Sequence, residues 1–428
     1  MQSFLQLVAH DLYAKIGNDL SRTALIFPNK RANLFFNEYL AGESDQPIWS
    51  PAAMSISDLF QKLSVQKSGD PIRLVCELYK VFKEETQSQE TLDDFYFWGE
   101  LLISDFDDVD KNMVDADKLF SNLQDLKNLM DDYEFLDKEQ EEAIQQFFQN
   151  FSIERRTELK EKFISLWDKL GTIYHHYREN LTELGIAYEG MLYRNVIEQL
   201  DTDQLKYDKY IFVGFNVLNK VENEFFRKLK DAGKALFYWD YDIFYTQQIR
   251  KHEAGEFLKR NLGEFPNELP ESFFDTFKEP KKIRYISAST ENAQARFLPE
   301  WIKMITDNHS QIAEEKEKEN AVVLCNEALL LPVLHSIPQE VKNVNITMGF
   351  PLAQTPVYSF INAAMELQTN GYRSDTGRFT YEAVSAILKH PYTQQISSHA
   401  DPLERELTQT NRFYPLPSEL KQDDFLAT

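Results

Sequence analysis

The chain has 428 residues, enough for two or three domains, and its 46 Lys+Arg against 69 Asp+Glu give a net charge of −23. Hydrophobic residues make up 43% and aromatics 13%, with 32 Phe and 20 Tyr, so large cores are expected and wholesale disorder is excluded. The acidity argues against a protein that coats nucleic acid or anionic membrane non-specifically, and a total of 14 Gly disfavours Gly-rich phosphate cradles. Cys76 and Cys325 are too few for a disulfide framework or a Cys-based zinc site. No signal peptide opens the chain, and no stretch offers about 18 uninterrupted apolar residues. A soluble, cytoplasmic chain with no membrane partner is therefore expected.

Phe4, Leu5, Val8, Leu12 and Ile16 recur at helical spacing, and the apolar run Thr23 to Phe27 predicts a buried strand. Pro28-Asn29-Lys30-Arg31 follows as a loop, then a helix with Leu34, Phe35, Tyr39 and Leu40 on one side. Helix, strand, loop and helix in that order predict an α/β layer with a parallel strand. From about 70 to 200 the pattern is helical: Leu74, Leu78 and Val81, then Leu119, Leu123, Leu126 and Met130, then Phe163, Leu166, Leu170 and Ile173. Residues 90–142 carry 18 acidic and 4 basic side chains, interleaved with Phe95, Tyr96, Phe97, Trp98 and Phe106. That composition predicts a folded acidic helical block and not a tail.

Strands return at Tyr210 to Val213 and at Ala235 to Trp239, flanking a helix over Val221 to Ala232. The helical block then reads as an insertion in a first α/β domain. Parts of that domain cover 1–69 and 201–260, the insertion 70–200, and the Pro-punctuated residues 261–281 read as a linker. A second α/β domain is expected over 282–370. Its strands would be Ile283 to Ser287, Ala321 to Cys325 and Val344 to Thr347, and its helices Glu291 to Ile305, Leu329 to Ile337 and Pro356 to Leu367. Glu314 to Glu319 reads as a solvated loop or helix end. Tyr381 to Lys389 opens a further helical stretch, 371–428, which reads as the start of a second insertion in a chain that stops within a domain.

A phosphate-binding loop needs Gly-x-x-x-x-Gly-Lys-Ser/Thr, whose amides cradle the phosphates. Only Gly185 and Gly190 have the glycine spacing, and Met191-Leu192 follow, so a helix turn is expected there. The strand at Tyr210 ends in Gly214-Phe215-Asn216 without an acid, and Asp240 and Asp242 after the next strand are the best-placed carboxylate pair for a metal. Turn and cap roles are the ordinary use of such aspartates. His175-His176 point about 100° apart on a helix and cannot easily share one ion. No Gly-x-Ser-x-Gly and no Pro-Asp dipeptide occurs, so neither a serine hydrolase nor a PD-(D/E)XK nuclease signature is present. No metal or cofactor is expected. The least ordinary site is Asn29, Lys30, Arg31 and Asn33, in the loop at the carboxyl edge of a parallel strand, where ligand crevices form. Lys30 and Arg31 would neutralise phosphates, and the two asparagines would add hydrogen bonds.

At Thr23 to Arg31 and at Tyr210 to Phe215 the sequence resembles the AddB subunit of the bacterial AddAB helicase–nuclease. Trp98 to Asp107 fits the helical insertion of that group. Ala321 to Glu327, Ile337-Pro338, Met348 to Leu352 and Leu388 to Tyr392 resemble its later part, so the likeness covers nearly the whole chain in order. The resemblance implies two RecA-like, P-loop NTPase-type domains with helical insertions, as in UvrD-type helicases, here with a degenerate P-loop. It further implies action at DNA ends in double-strand-break repair, beside an active AddA-like partner subunit. Later helicase motifs and a PD-(D/E)XK nuclease domain would lie beyond Thr428. By the same resemblance, Asn29, Lys30 and Arg31 sit where an early motif contacts single-stranded or forked DNA. The expected function is a catalytically inactive helicase-like scaffold. Two alternatives stand beside it: a nucleotide hydrolase with Asp240 or Asp242 on Mg²⁺, and an interaction protein whose acidic block binds a basic partner.

Overall fold

The computed structural model describes residues 2–120, 169–247, 253–305, 320–422 and 424. Leu123, Leu126, Met130, Phe163, Leu166, the acidic residues 121–142 and the charged run Glu314 to Glu319 lie outside them. The chain divides into two compact units, 1–281 and 282–428.

Unit one is built on a four-stranded parallel sheet of β1 (Thr23–Phe27), β2 (Ala52–Ser55), β5 (Lys209–Val213) and β6 (Ala235–Tyr238), in the order β2-β1-β5-β6. A second, two-residue parallel pair joins β3 (Lys67–Ser68) to β4 (Ile186–Ala187). The period-2 alternation of strand side chains explains why the main strands are apolar throughout. Ala24, Ile26, Tyr210, Phe212 and Phe237 face one core, while Leu25, Phe27, Ile211, Val213 and Tyr238 face the other.

On the second face lie α1 (Phe4–Ile16) and α2 (Ala32–Ala41), contributing Val8, Leu12, Phe36 and Leu40. Ser3 and Gln6 form a capping box at the start of α1, and Tyr13 O takes the Gly17 amide at its end. On the first face lie α3 (Ile56–Leu63), α4 (Pro71–Thr86), α5 (Leu92–Lys111), α6 (Leu170–Glu183), α7 (Glu189–Gln199) and α8 (Lys220–Asp231). Their buried residues form one continuous core with the sheet. The helical block therefore does not stand off from the α/β layer: it is one of the layers. Aromatic rings fill the junction, with Phe212 stacked on Phe237 at 5.5 Å and Phe60 on Tyr193 at 4.2 Å.

Residues 261–281 are not an open linker. Phe265, Leu269 and Phe274 are buried in the two cores, and the Trp239 indole donates to Phe265 O at 2.9 Å. The prolines stop helices there, but the apolar side chains between them still have sheet-edge surface to cover.

Unit two departs further from expectation. Ile283 to Ser287, Ala321 to Cys325 and Val344 to Thr347 form no strands, and the strand pairing described in this unit is the short antiparallel pair Tyr372–Arg373 and Arg378–Phe379. Tyr285 and Val323 are 91% and 85% exposed. A strand needs at least one neighbour to take up its backbone hydrogen bonds, and the described residues supply none for these three segments. The expected helices do form, as Glu291–Arg296, Leu298–Ile305, Leu330–Ser336, Pro356–Thr369 and Tyr381–Leu388. The unit is helical with two small cores, around Val333 and around Val384, Leu388 and Leu403.

Candidate nucleic-acid interface

In the strand order β2-β1-β5-β6, the chain turns one way from β1 through α2 and the other way from β5 through α8. The helices consequently fall on opposite faces, and the loops after β1 and β5 part at the carboxyl edge. This is the topological switch point at which open parallel sheets bind ligands. All four residues singled out from the sequence lie in or beside the β1 loop.

They do not act alike. Asn29 Oδ1 accepts from the amides of Arg31 at 3.1 Å and Ala32 at 3.4 Å, so its side chain caps the start of α2. Asn33 is the second residue of α2, with Oδ1 buried and without a partner among the described residues. Lys30 is 76% exposed and pairs with Asp58 Oδ1 at 3.0 Å. Arg31 is half-buried, and its guanidinium makes no ion pair or hydrogen bond with a described residue. The structure thus brings Lys30 and Arg31 to the solvent edge and turns Asn29 to a local capping duty.

Three residues of this edge escaped the sequence reading. Asp58 caps α3 reciprocally with Ser55, whose hydroxyl donates to Asp58 Oδ2 at 2.8 Å. Burial would raise the Asp58 carboxyl, but the Ser55 bonds and Lys30 hold it below its ordinary value. The Ser-x-x-Asp spacing was a readable cap signal, but its pairing across to Lys30 was not. Asn219 closes the start of α8 with Glu222, and the exposed Lys220 follows it. Neither α2 nor its cap carries an acid in the first turn, so no carboxylate of the helix itself offsets the partial positive charge of that end.

The β5 loop is closed. Gly214 takes φ +73°, a left-handed turn, and donates to Tyr238 O at 2.9 Å. Phe215 then returns to the core against Phe226 at 5.3 Å, and Asn261 Nδ2 donates to Asn216 O at 2.6 Å. Beyond β6, Asp242 accepts from the amides of Phe244, Thr276 and Phe277 at 2.8–2.9 Å. Although burial opposes it, these bonds hold its carboxyl below the ordinary range, which is the cap role expected of it. Burial raises the Asp240 carboxyl. No three His, Cys, Asp or Glu side chains converge as a metal site among the described residues.

The helical layer holds a second polar cluster. Asp110, fully buried on α5, accepts from Tyr174 OH at 2.6 Å and Tyr188 OH at 2.5 Å and pairs with Arg178 and Arg194. A cleft of about 420 Å³ beside it is lined by Tyr174, His175, Arg178 and Arg194. Both guanidiniums are spent internally: Arg178 also donates to Asn195 at 2.9 Å, and Arg194 to Glu198 and Val114 O at 2.9 Å. Burial and Asp110 push the Tyr188 phenol well above its ordinary value, so it stays a donor. The cluster locks α5, α6 and α7 together. His175 and His176 diverge, to Asp117 at 2.7 Å and Glu85 at 2.9 Å. Gly185, at φ +68°, ends α6, and the Gly190 amide donates to Asp107 Oδ1 at 2.5 Å in the first turn of α7.

Unit one is thus a mixed α/β protein with a parallel central sheet and a cationic loop at its switch point. No protein-family model matches the chain, and no curated protein matches it significantly. No described helix is long and apolar enough to cross a membrane.

Proposed function

We propose that the chain is a helicase-like scaffold that positions DNA and docks an AddA-like partner subunit, without hydrolysing nucleotide itself. In this reading unit one is a RecA-like domain with a degenerate P-loop, and the work is the processing of DNA ends. The observation that carries the reading is Arg31: a guanidinium with no ion pair or hydrogen bond among the described residues, beside Lys30 on the loop of the switch point, at a helix start with no acid in its first turn. The bulk charge of −23 rules against coating but leaves room for a local contact at this basic loop.

Two features support the nucleotide-free part. The amides at the start of α2, which a phosphate cradle would use, are capped by Asn29. The Asp242 oxygens are occupied by three backbone amides. DNA-stimulated ATP turnover lost in Asp240→Asn would favour the hydrolase instead.

Fluorescence anisotropy with labelled single-stranded and forked DNA tests the positioning role. Arg31→Ala is expected to weaken binding and lower the salt slope by about 0.7 on single strands, the share of one phosphate contact. Lys30→Ala should cost less, because Lys30 must first leave Asp58, and Asp58→Asn should tighten binding. Absence of binding at low salt, or an unchanged Lys30→Ala/Arg31→Ala double variant, refutes the DNA role.

A further inference from the structure

Helix α5 is divided lengthwise. Phe95, Gly99, Phe106 and Val109 face the core, where a Cβ at Gly99 would crowd the Phe95 ring at 2.7 Å and Val75 at 2.9 Å. On the outer side Phe97, Trp98 and Leu101 are 69%, 45% and 45% exposed, a strip set one helical turn apart. The Phe97 and Trp98 rings meet edge to face at 5.9 Å. Large aromatics at adjoining exposed positions are what partner surfaces use as anchors.

The exposed charges of the helix have one sign. Asp93, Asp94, Glu100, Asp105 and Asp108 are all exposed, and the one base of the helix, Lys111, is turned to Asp107 at 2.7 Å and Glu189 at 2.6 Å. Partial desolvation and, second to it, the neighbouring Asp108 raise the Asp105 carboxyl. A second copy docking through the same face would set acid against acid. Nucleic acid is repelled for the same reason.

We propose that the outer face of α5 docks a cationic amphipathic helix of a partner protein, with apolar side chains on Phe97, Trp98 and Leu101 and Lys or Arg on the exposed acids. This goes beyond the DNA-positioning reading and does not depend on it.

The test is anisotropy of the full chain with a labelled amphipathic Leu/Lys peptide, with a Leu/Glu peptide of the same spacing as control. The Leu/Lys peptide is expected to bind with salt-sensitive affinity. The double variant Phe97→Ser/Leu101→Ser should weaken it at least about tenfold, and Asp105→Asn/Asp108→Asn should flatten the salt dependence. These positions are exposed, and an unchanged urea midpoint checks that the fold is kept. Arg31→Ala should leave peptide binding intact, which separates this result from the DNA assay. The proposal is overturned if the Leu/Lys peptide does not bind, if the Phe97/Leu101 variant binds it as well as the parent, or if the Leu/Glu peptide binds equally. It is also overturned if hydrogen exchange or sedimentation shows the strip covered by the chain's own residues 121–168 or by a second copy.

Discussion

At the scale of single residues, Glu222 shows how burial sets a pH dependence at the switch point. It caps α8 with Asn219, and burial raises its carboxyl above the ordinary 4.5, with Glu189 adding to the effect and the Asn219 amide and Lys111 opposing it. A carboxyl with a raised folded pKa takes up a proton on folding. The folded protein is therefore favoured below the ordinary value and loses stability as pH rises through the window up to the raised one. Glu222→Gln keeps the acceptor for the Asn219 amide and removes the charge. Its melting temperature should exceed that of the parent at neutral pH, and the difference should vanish near pH 4 in scanning calorimetry. The contrast with Asp58 and Asp242 is instructive, since hydrogen bonds to their charged forms outweigh burial and lower both.

Among the elements, the closest approach of α7 to α5 depends on one missing side chain. A Cβ at Gly190 would sit 2.4 Å from the backbone oxygen of Asp107. Gly190→Ala should therefore push the helices apart and cost about 1–3 kcal/mol, read as a lower urea midpoint with an unchanged slope. In sequence this glycine looked like half of a phosphate motif, and the following Met191-Leu192 already argued for a helix turn, which is where it lies. Helices and central strands were legible because their periodicities are local: Phe4–Ile16 and Thr23–Phe27 lie within the residues whose spacing announces them. β2 was not, because Ala52, Ala53, Met54 and Ser55 carry no strand preference and become a strand only by pairing with β1. The converse holds at Ile283 to Ser287 and Val344 to Thr347, where strand-like composition finds no partner.

The whole molecule combines two units of unequal cohesion. Unit one encloses a core that runs from the sheet through six helices, and the two cores of unit two hold five and three buried residues. Buried apolar area scales with stability, so unfolding of the full chain should not be two-state. Hydrogen exchange in rising urea is expected to release amides of 282–422 before those of β1, β5 and β6. Simultaneous release would mean that the units are energetically coupled.

The net charge of −23 also resolves at this scale. Fourteen of the 23 excess negative charges belong to residues 90–142, and in the described part of that block Asp93, Asp94, Glu100, Asp105 and Asp108 lie exposed on α5 while Asp107 turns to α7 and Asp110 is buried. By itself the sequence determined the mixed α/β character, the apolar central strands, the helical block and the basic loop, since each is written in spacing along a few consecutive residues. Only the tertiary structure decided that β1 and β5 part at that loop, that Asp58 answers Lys30, and that Asp110 gathers two tyrosines and two arginines. Those facts join residues dozens of positions apart, and it is packing that selects such pairs.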